Sequence, residues 1–155
     1  MVAIEVDGKM KVGVIRFPGT RETLAAREGG GCTVNGERCA VSEISELTKA
    51  TVLTTDMRDA LVRLGEAPLL RFLRNTKVHR SWGDCYGYLL VATGRADLMF
   101  DPIMNLYDFA PLIPIVTEAG GRITDAQGKP PVHGGTVLAT NGPLHDAAIE
   151  LFKKD

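Results

Sequence analysis

At 155 residues, 45% of them apolar and 24% charged, the chain has the composition of an ordinary globular protein with one good core or two small adjoining ones, which argues against disorder. Its 18 basic and 19 acidic residues leave a formal net charge of −1, which argues against general binding to nucleic acid or to an anionic membrane surface and points to a small partner. There is no apolar run of membrane-spanning length and no charged leader before an apolar stretch, and the three cysteines lack zinc spacing, so reduced thiols in a cytoplasm are expected.

From Val2 to Val41, short β-prone runs alternate with turn chemistry: VAIEV, Asp7-Gly8, MKVGVIRF, Pro18-Gly19, ETLAAR, Gly29-Gly30-Gly31, CTV and Asn35-Gly36. Asp-Gly and Asn-Gly pairs tolerate positive φ and favour tight hairpins, so this region predicts an antiparallel meander. The glycine tract lacks the Gly-Lys-Ser/Thr ending of a phosphate loop and reads as a turn. Residues 42–49 form a connector without a strong period. ATVLTT then reads as a buried strand.

The period next turns helical. Leu61, Leu64, Leu69, Phe72 and Leu73 share a face over residues 58–74, with Gly65 and Pro68 splitting the helix into two pieces. KVHR predicts a strand, residues 83–93 a helix closed by Gly94, and ADLMF a strand. Residues 108–119 predict a helix stopped by Gly120-Gly121, followed by strands at RITD and VLAT and a last helix over residues 143–154. The fold class is therefore α/β, a layered α+β sandwich: a mixed C-terminal sheet covered by helices over residues 50–155, beside an antiparallel sheet in residues 1–49.

Three aspartates carry the candidate chemistry. Asp108 sits at a predicted helix opening, where a carboxylate gains from the helix dipole and can offer oxygen to a hard cation such as Mg²⁺; simple N-capping is the competing role. Pro114 inside that helix carries a penalty of about 3 kcal/mol unless the helix bends, so a kink is predicted near Ala110. Asp101 is placed at the end of the ADLMF strand, where open sheets present ligand groups, and suits a substrate hydroxyl or ammonium; a solvated turn aspartate before proline is the alternative.

Asp84, at the predicted start of the helix over residues 83–93 and beside Trp82, Tyr86 and Tyr88, could receive a cationic substrate group or merely cap its helix. Tyr86 and Tyr88 cannot share one helix face. His79, His133 and His145 lie far apart and read as solvated or packing residues.

Together, Tyr107-Asp108, the IVTEAGG run at 115–121 and the VATGRAD run at 91–97 resemble the inositol monophosphatase family of Mg²⁺-dependent sugar phosphatases, with Tyr107-Asp108 standing where that family has Trp-Asp. The RSWGDCYGYLLVATGRAD form looks most like its histidinol-phosphate phosphatase branch, and GVIRFP, ETLAAR and NGERCAVS resemble the strands that follow the family's first metal motif. The resemblance implies hydrolysis of a small phosphorylated metabolite by metal-activated water. It gives Asp108 the role of catalytic metal ligand and makes Asp101 and Asp84 substrate-binding.

The family's Glu-Glu pair and Asp-Pro-x-Asp-Gly-Thr motif are missing, so the resemblance implies a truncated chain in which Mg²⁺ binds weakly or not at all and activity is poor. An uncovered sheet edge and apolar face predict a homo-oligomer or a covering partner chain. The alternative is a non-catalytic remnant of the fold that serves as a binding or assembly module.

Overall fold

The computed structural model describes residues 1–153. Its first sheet is an antiparallel meander in chain order: β1 (Val2–Val6), β2 (Lys9–Phe17), β3 (Glu22–Arg27), β4 (Gly31–Val34) and β5 (Glu37–Cys39). Asp7 and Gly8 between β1 and β2, and Asn35 and Gly36 between β4 and β5, all take positive φ, the backbone that two-residue hairpins require. The glycine tract is a turn, and it is tied down: the Gly29 and Gly31 amides donate to the two carboxylate oxygens of Glu118 at 2.8 and 2.6 Å.

The second sheet is mixed, in the order β7-β6-β8-β10-β9, built from β6 (Thr51–Thr54), β7 (Val78–Ser81), β8 (Leu98–Met104), β9 (Arg122–Thr124) and β10 (Gly135–Thr140). β6 runs parallel to β7 and β8, while β10 is antiparallel to both β8 and β9. The helices are α1 (Met57–Leu64), α2 (Glu66–Arg74), α3 (Tyr86–Ala92), α4 (Leu106–Phe109), α5 (Leu112–Glu118) and α6 (His145–Phe152). Gly65, at φ 88, separates α1 from α2 at the predicted break.

Successive residues of a strand face opposite ways, and this divides the core in two. Leu53, Met99, Val137 and Ala139 face one side of the mixed sheet, where Leu89 of α3 and Leu112 and Ile115 of α5 join Ile15, Leu24 and Cys32 of the meander. Val52, Leu98, Phe100 and Leu138 face the other side, against Leu64, Phe72, Leu144 and Phe152. The layers thus run sheet, helices, sheet, helices. One of these contacts excludes a side chain: a Cβ on Gly13 would stand 2.1 Å from the Pro111 carbonyl oxygen, whereas one on Gly87 would stand 2.5 Å from Met99 Sδ, which would have to shift.

A buried polar knot also joins the layers. The Asp97 carboxylate accepts from Ser42 Oγ and from the Thr51 amide at 2.7 Å, while Asn141 Nδ2 donates to Ser42 Oγ and to the Ile44 carbonyl at 2.8 Å each.

Several predicted boundaries move, each for a local reason. β8 does not stop before Asp101; it continues through Pro102 to Met104, because its register with β10 shifts there and no ladder bond is needed from the proline. The single helix predicted over residues 108–119 is two helices. α4 ends at Phe109 and α5 starts at Leu112, so Pro114 lies in the first turn of α5, where its missing N–H is harmless. α3 starts at Tyr86, later than predicted. The last helix ends at Phe152, and Lys154 of the predicted range lies outside the described residues. No helix among the described residues is long and apolar enough to cross a membrane.

Candidate active site

One cavity of about 310 Å³ is lined by Met1, Thr55, Asp84, Cys85, Asp101, Ile103, Met104 and Asp108. It opens where β6 and β8 reach their carboxyl ends, the side on which open α/β sheets present ligand groups. All three candidate aspartates therefore meet at one place, although they come from a strand, a turn and a helix. A cleft of about 380 Å³ beside α1 and α6 is lined by no carboxylate side chain.

Asp101 enters from β8 and is only 4% exposed, so it lies inside the strand and not beyond its end, where the sequence placed it. Tyr88, fully buried on α3, donates its phenolic hydroxyl to Asp101 Oδ2 at 2.7 Å. Burial pushes the Asp101 carboxyl up to about 6; the Tyr88 hydrogen bond opposes that rise, and the Asp84 and Asp108 charges add to it. Burial first, then the Asp101 charge, raises Tyr88 well above its ordinary value, so its hydroxyl stays a donor.

Asp108 does not cap its helix. Asn105 holds the N-cap position of α4 and Asp108 lies within the first turn, because the helix begins at Leu106, before the predicted start. Its carboxylate accepts no hydrogen bond among the described residues and remains available to the cavity. Asp84 precedes Cys85, the N-cap residue of α3, and takes φ 55, a left-handed backbone that few residues other than glycine adopt. That conformation presents it at the cavity wall instead of on a helix turn.

The tyrosines divide as their spacing requires. Tyr88 turns inward to Asp101, whereas Tyr86 stacks on Trp82 at 5.3 Å between ring centroids and donates to Glu22 Oε2 at 3.3 Å. The aromatic neighbours of Asp84 in sequence thus form a separate stack. Two histidines are packing groups, His145 buried between Thr140 Oγ1 at 2.9 Å and Thr124 Oγ1 at 3.0 Å and His79 lying 2.9 Å from Thr54 Oγ1, while His133 is exposed and accepts from the Leu106 amide at 3.3 Å.

Sequence reasoning missed Thr55 and Cys85. Thr55 Oγ1 is a buried side-chain oxygen without a hydrogen-bond partner among the described residues, and its signal was its place just past the end of a parallel strand. Burial raises the Cys85 thiol, with the Asp84 and Asp108 charges adding to the rise. Among the described residues no three His, Cys, Asp or Glu side chains converge closely enough to hold a metal ion. The donor set on this chain is thus carboxylate oxygen, suited to a hard cation but sparse.

Sequence comparison matches residues 1–154 to the model of the Inositol monophosphatase family. A histidinol-phosphatase of Chlorobaculum parvum is 40% identical over 140 residues, covering 90% of this chain and 54% of that protein. A histidinol-phosphatase of Mycobacterium tuberculosis is 34% identical, covering 96% of this chain and 59% of its own length. The solved Thermotoga maritima IMPase superposes with a TM-score of 0.85 at 32% identity, over 97% of this chain and 58% of that one. The chain therefore spans little more than half the length of the relatives it matches.

Proposed function

The chain belongs to the inositol monophosphatase family, and from that premise we propose that it forms the substrate-facing part of a Mg²⁺-dependent phosphomonoesterase acting on a small amine-bearing phosphate ester such as histidinol phosphate. The observation that carries this reading is the convergence of Asp84, Asp101 and Asp108 on one cavity. The similarity to histidinol-phosphatases supports the substrate class.

Asp108, whose carboxylate is unpartnered, would hold Mg²⁺ through oxygen, with water and phosphate completing the coordination that this ion prefers. When bound, the ion supplies neutralisation of phosphate charge and a more acidic water. Asp101, held by Tyr88, offers its free lone pairs to a substrate hydroxyl or ammonium. Asp84 places a second negative charge at the cavity wall, where a cationic head group gains from both.

With so few carboxylates converging, Mg²⁺ is held loosely and this chain alone turns over slowly. That same sparseness favours the second reading, a module that binds the phosphate ester without hydrolysing it. Phosphate release from histidinol phosphate with Mg²⁺ separates them. Turnover of roughly 1 to 10³ per second would exclude both slow catalysis and the binding-only module. In a protein of full family length, Asp84→Asn should erode the preference for histidinol phosphate over inositol phosphate, and unchanged preference would remove the amine assignment.

A cytoplasmic location and self-association, or cover by a partner chain, belong to the same reading. The latter is supported by Val2, Ile4 and Val6, which project from β1 at 61%, 50% and 47% exposure. Sedimentation over a broad concentration range tests it, and a monomer throughout would count against it.

A further inference from the structure

Cys32 on β4 and Cys39 on β5 are directly paired across the hairpin that Asn35 and Gly36 close. Opposed residues of an antiparallel pair put their side chains on the same face, with Cα atoms about 4.5 or about 5.5 Å apart. Both separations fall within the span of about 4.4–6.8 Å that a disulfide bridges, so the backbone need not move. The third cysteine, Cys85, lies at the aspartate-lined cavity and has no cysteine opposite it.

The two thiols differ in access. Cys32 is 1% exposed, inside the core between the sheets, whereas Cys39 is half-buried and can be reached from solvent. Cys39 also gains as an anion: the neighbouring Cys32 thiol donates to it and the Arg95 guanidinium adds its charge, against the opposing effect of burial. Cys32 is shifted the other way, by that same thiol contact and by burial. A reachable cysteine opposite a buried one is the arrangement in which one sulfur attacks and the other resolves.

We propose that Cys32 and Cys39 form a disulfide-exchange site, which a low-molecular-weight disulfide such as oxidised glutathione converts into a cross-strand bridge. The Cys39 thiolate attacks one glutathione sulfur, the glutathione S–S bond breaks, and a mixed disulfide forms as one glutathione thiolate leaves. Cys32 then gives up its proton and attacks the Cys39 sulfur, forming the Cys32–Cys39 bond and releasing the second glutathione. Two protein thiols are oxidised, one glutathione disulfide is reduced to two thiols, and the two protons end on those thiols.

The test treats the chain with oxidised glutathione, blocks the remaining thiols and maps the products by mass. Arg38 lies between the two cysteines, so trypsin leaves them on separate peptides that only the bridge can join. The expected result is a joined pair within chains that are not cross-linked to one another and a fall from three free thiols to one, at Cys85. In Cys32→Ser the reaction should stop at a glutathione adduct on Cys39, and in Cys39→Ser the residue Cys32 should stay unmodified. Three thiols persisting in the unsubstituted chain, a bridge that includes Cys85, or a bridge only between chains would overturn the proposal. The mapping of the unsubstituted protein stands even if a variant fails to fold.

Discussion

The phenol of Tyr88 and the carboxylate of Asp101 meet at 2.7 Å where α3 crosses β8, and both side chains are buried. This pair makes stability depend on pH in a definite direction. The Asp101 carboxyl titrates near 6 when folded against an ordinary 3.8, so its contribution is full below pH 3.8 and is lost as pH rises through 6. Asp101→Asn keeps an acceptor for Tyr88 without the charge. It should therefore stabilise the protein at pH 8 by up to roughly 3 kcal/mol, with no such gain near pH 4. Tyr88→Phe should do the reverse, costing more at pH 8 than at pH 5. Urea unfolding at these pH values is the measurement, and equal shifts at each pH would contradict the assignment.

His145 tilts the balance the other way. Burial foremost, with the Arg122 charge adding, lowers its pKa to about 4 from 6.5, although Asp146 opposes the shift. Above pH 6.5 the imidazole is neutral in both states and its contribution is full; between 6.5 and 4 the unfolded chain takes up a proton that the folded one refuses, and stability falls. His145→Gln should lower stability at pH 7 by about 1–3 kcal/mol through its two threonine partners, yet flatten the loss between pH 6.5 and 4. A slope unchanged from the parent would disprove the buried neutral imidazole.

Gly13→Ala tests the seam between the meander and α5. The added methyl would meet the Pro111 carbonyl at 2.1 Å and Pro114 Cγ at 3.0 Å, so a loss of about 1–3 kcal/mol is expected in thermal unfolding. Because Pro111 lies just beyond the helix that carries Asp108, the same change in a protein of full family length should also slow phosphate release. Unaltered melting would show that the two layers separate easily.

Asp108→Asn removes the unpartnered carboxylate. In a protein of full family length, phosphate release should fall on the order of 10²-fold while the melting temperature stays close to that of the parent. A large fall in stability with activity preserved would recast Asp108 as a structural group.

Much of this was legible in the chain because turns and periods are local signals. Asp7-Gly8 and Asn35-Gly36 marked their hairpins, Gly65 marked the break between α1 and α2, and Pro114 marked the bend near Ala110. Pro102 misled, since whether a strand tolerates proline depends on the register of the neighbour it pairs with, and β10 lies over thirty residues away. Asp84 was found but misplaced: its left-handed backbone is set by the turn it belongs to, which no helix-start pattern encodes. Thr55 and the Tyr88–Asp101 bond were missed because they exist only once three separate segments are assembled.

The knot of Ser42, Asp97 and Asn141 has a kinetic corollary. Asn141 reaches Ser42 across 99 residues of sequence, so this lacing closes only after all of the segment between them has been synthesised. Until then the inner apolar side of the meander lacks the helices and strand that cover it, and lesions near Asn141 should lower yield more than their distance from the cavity suggests.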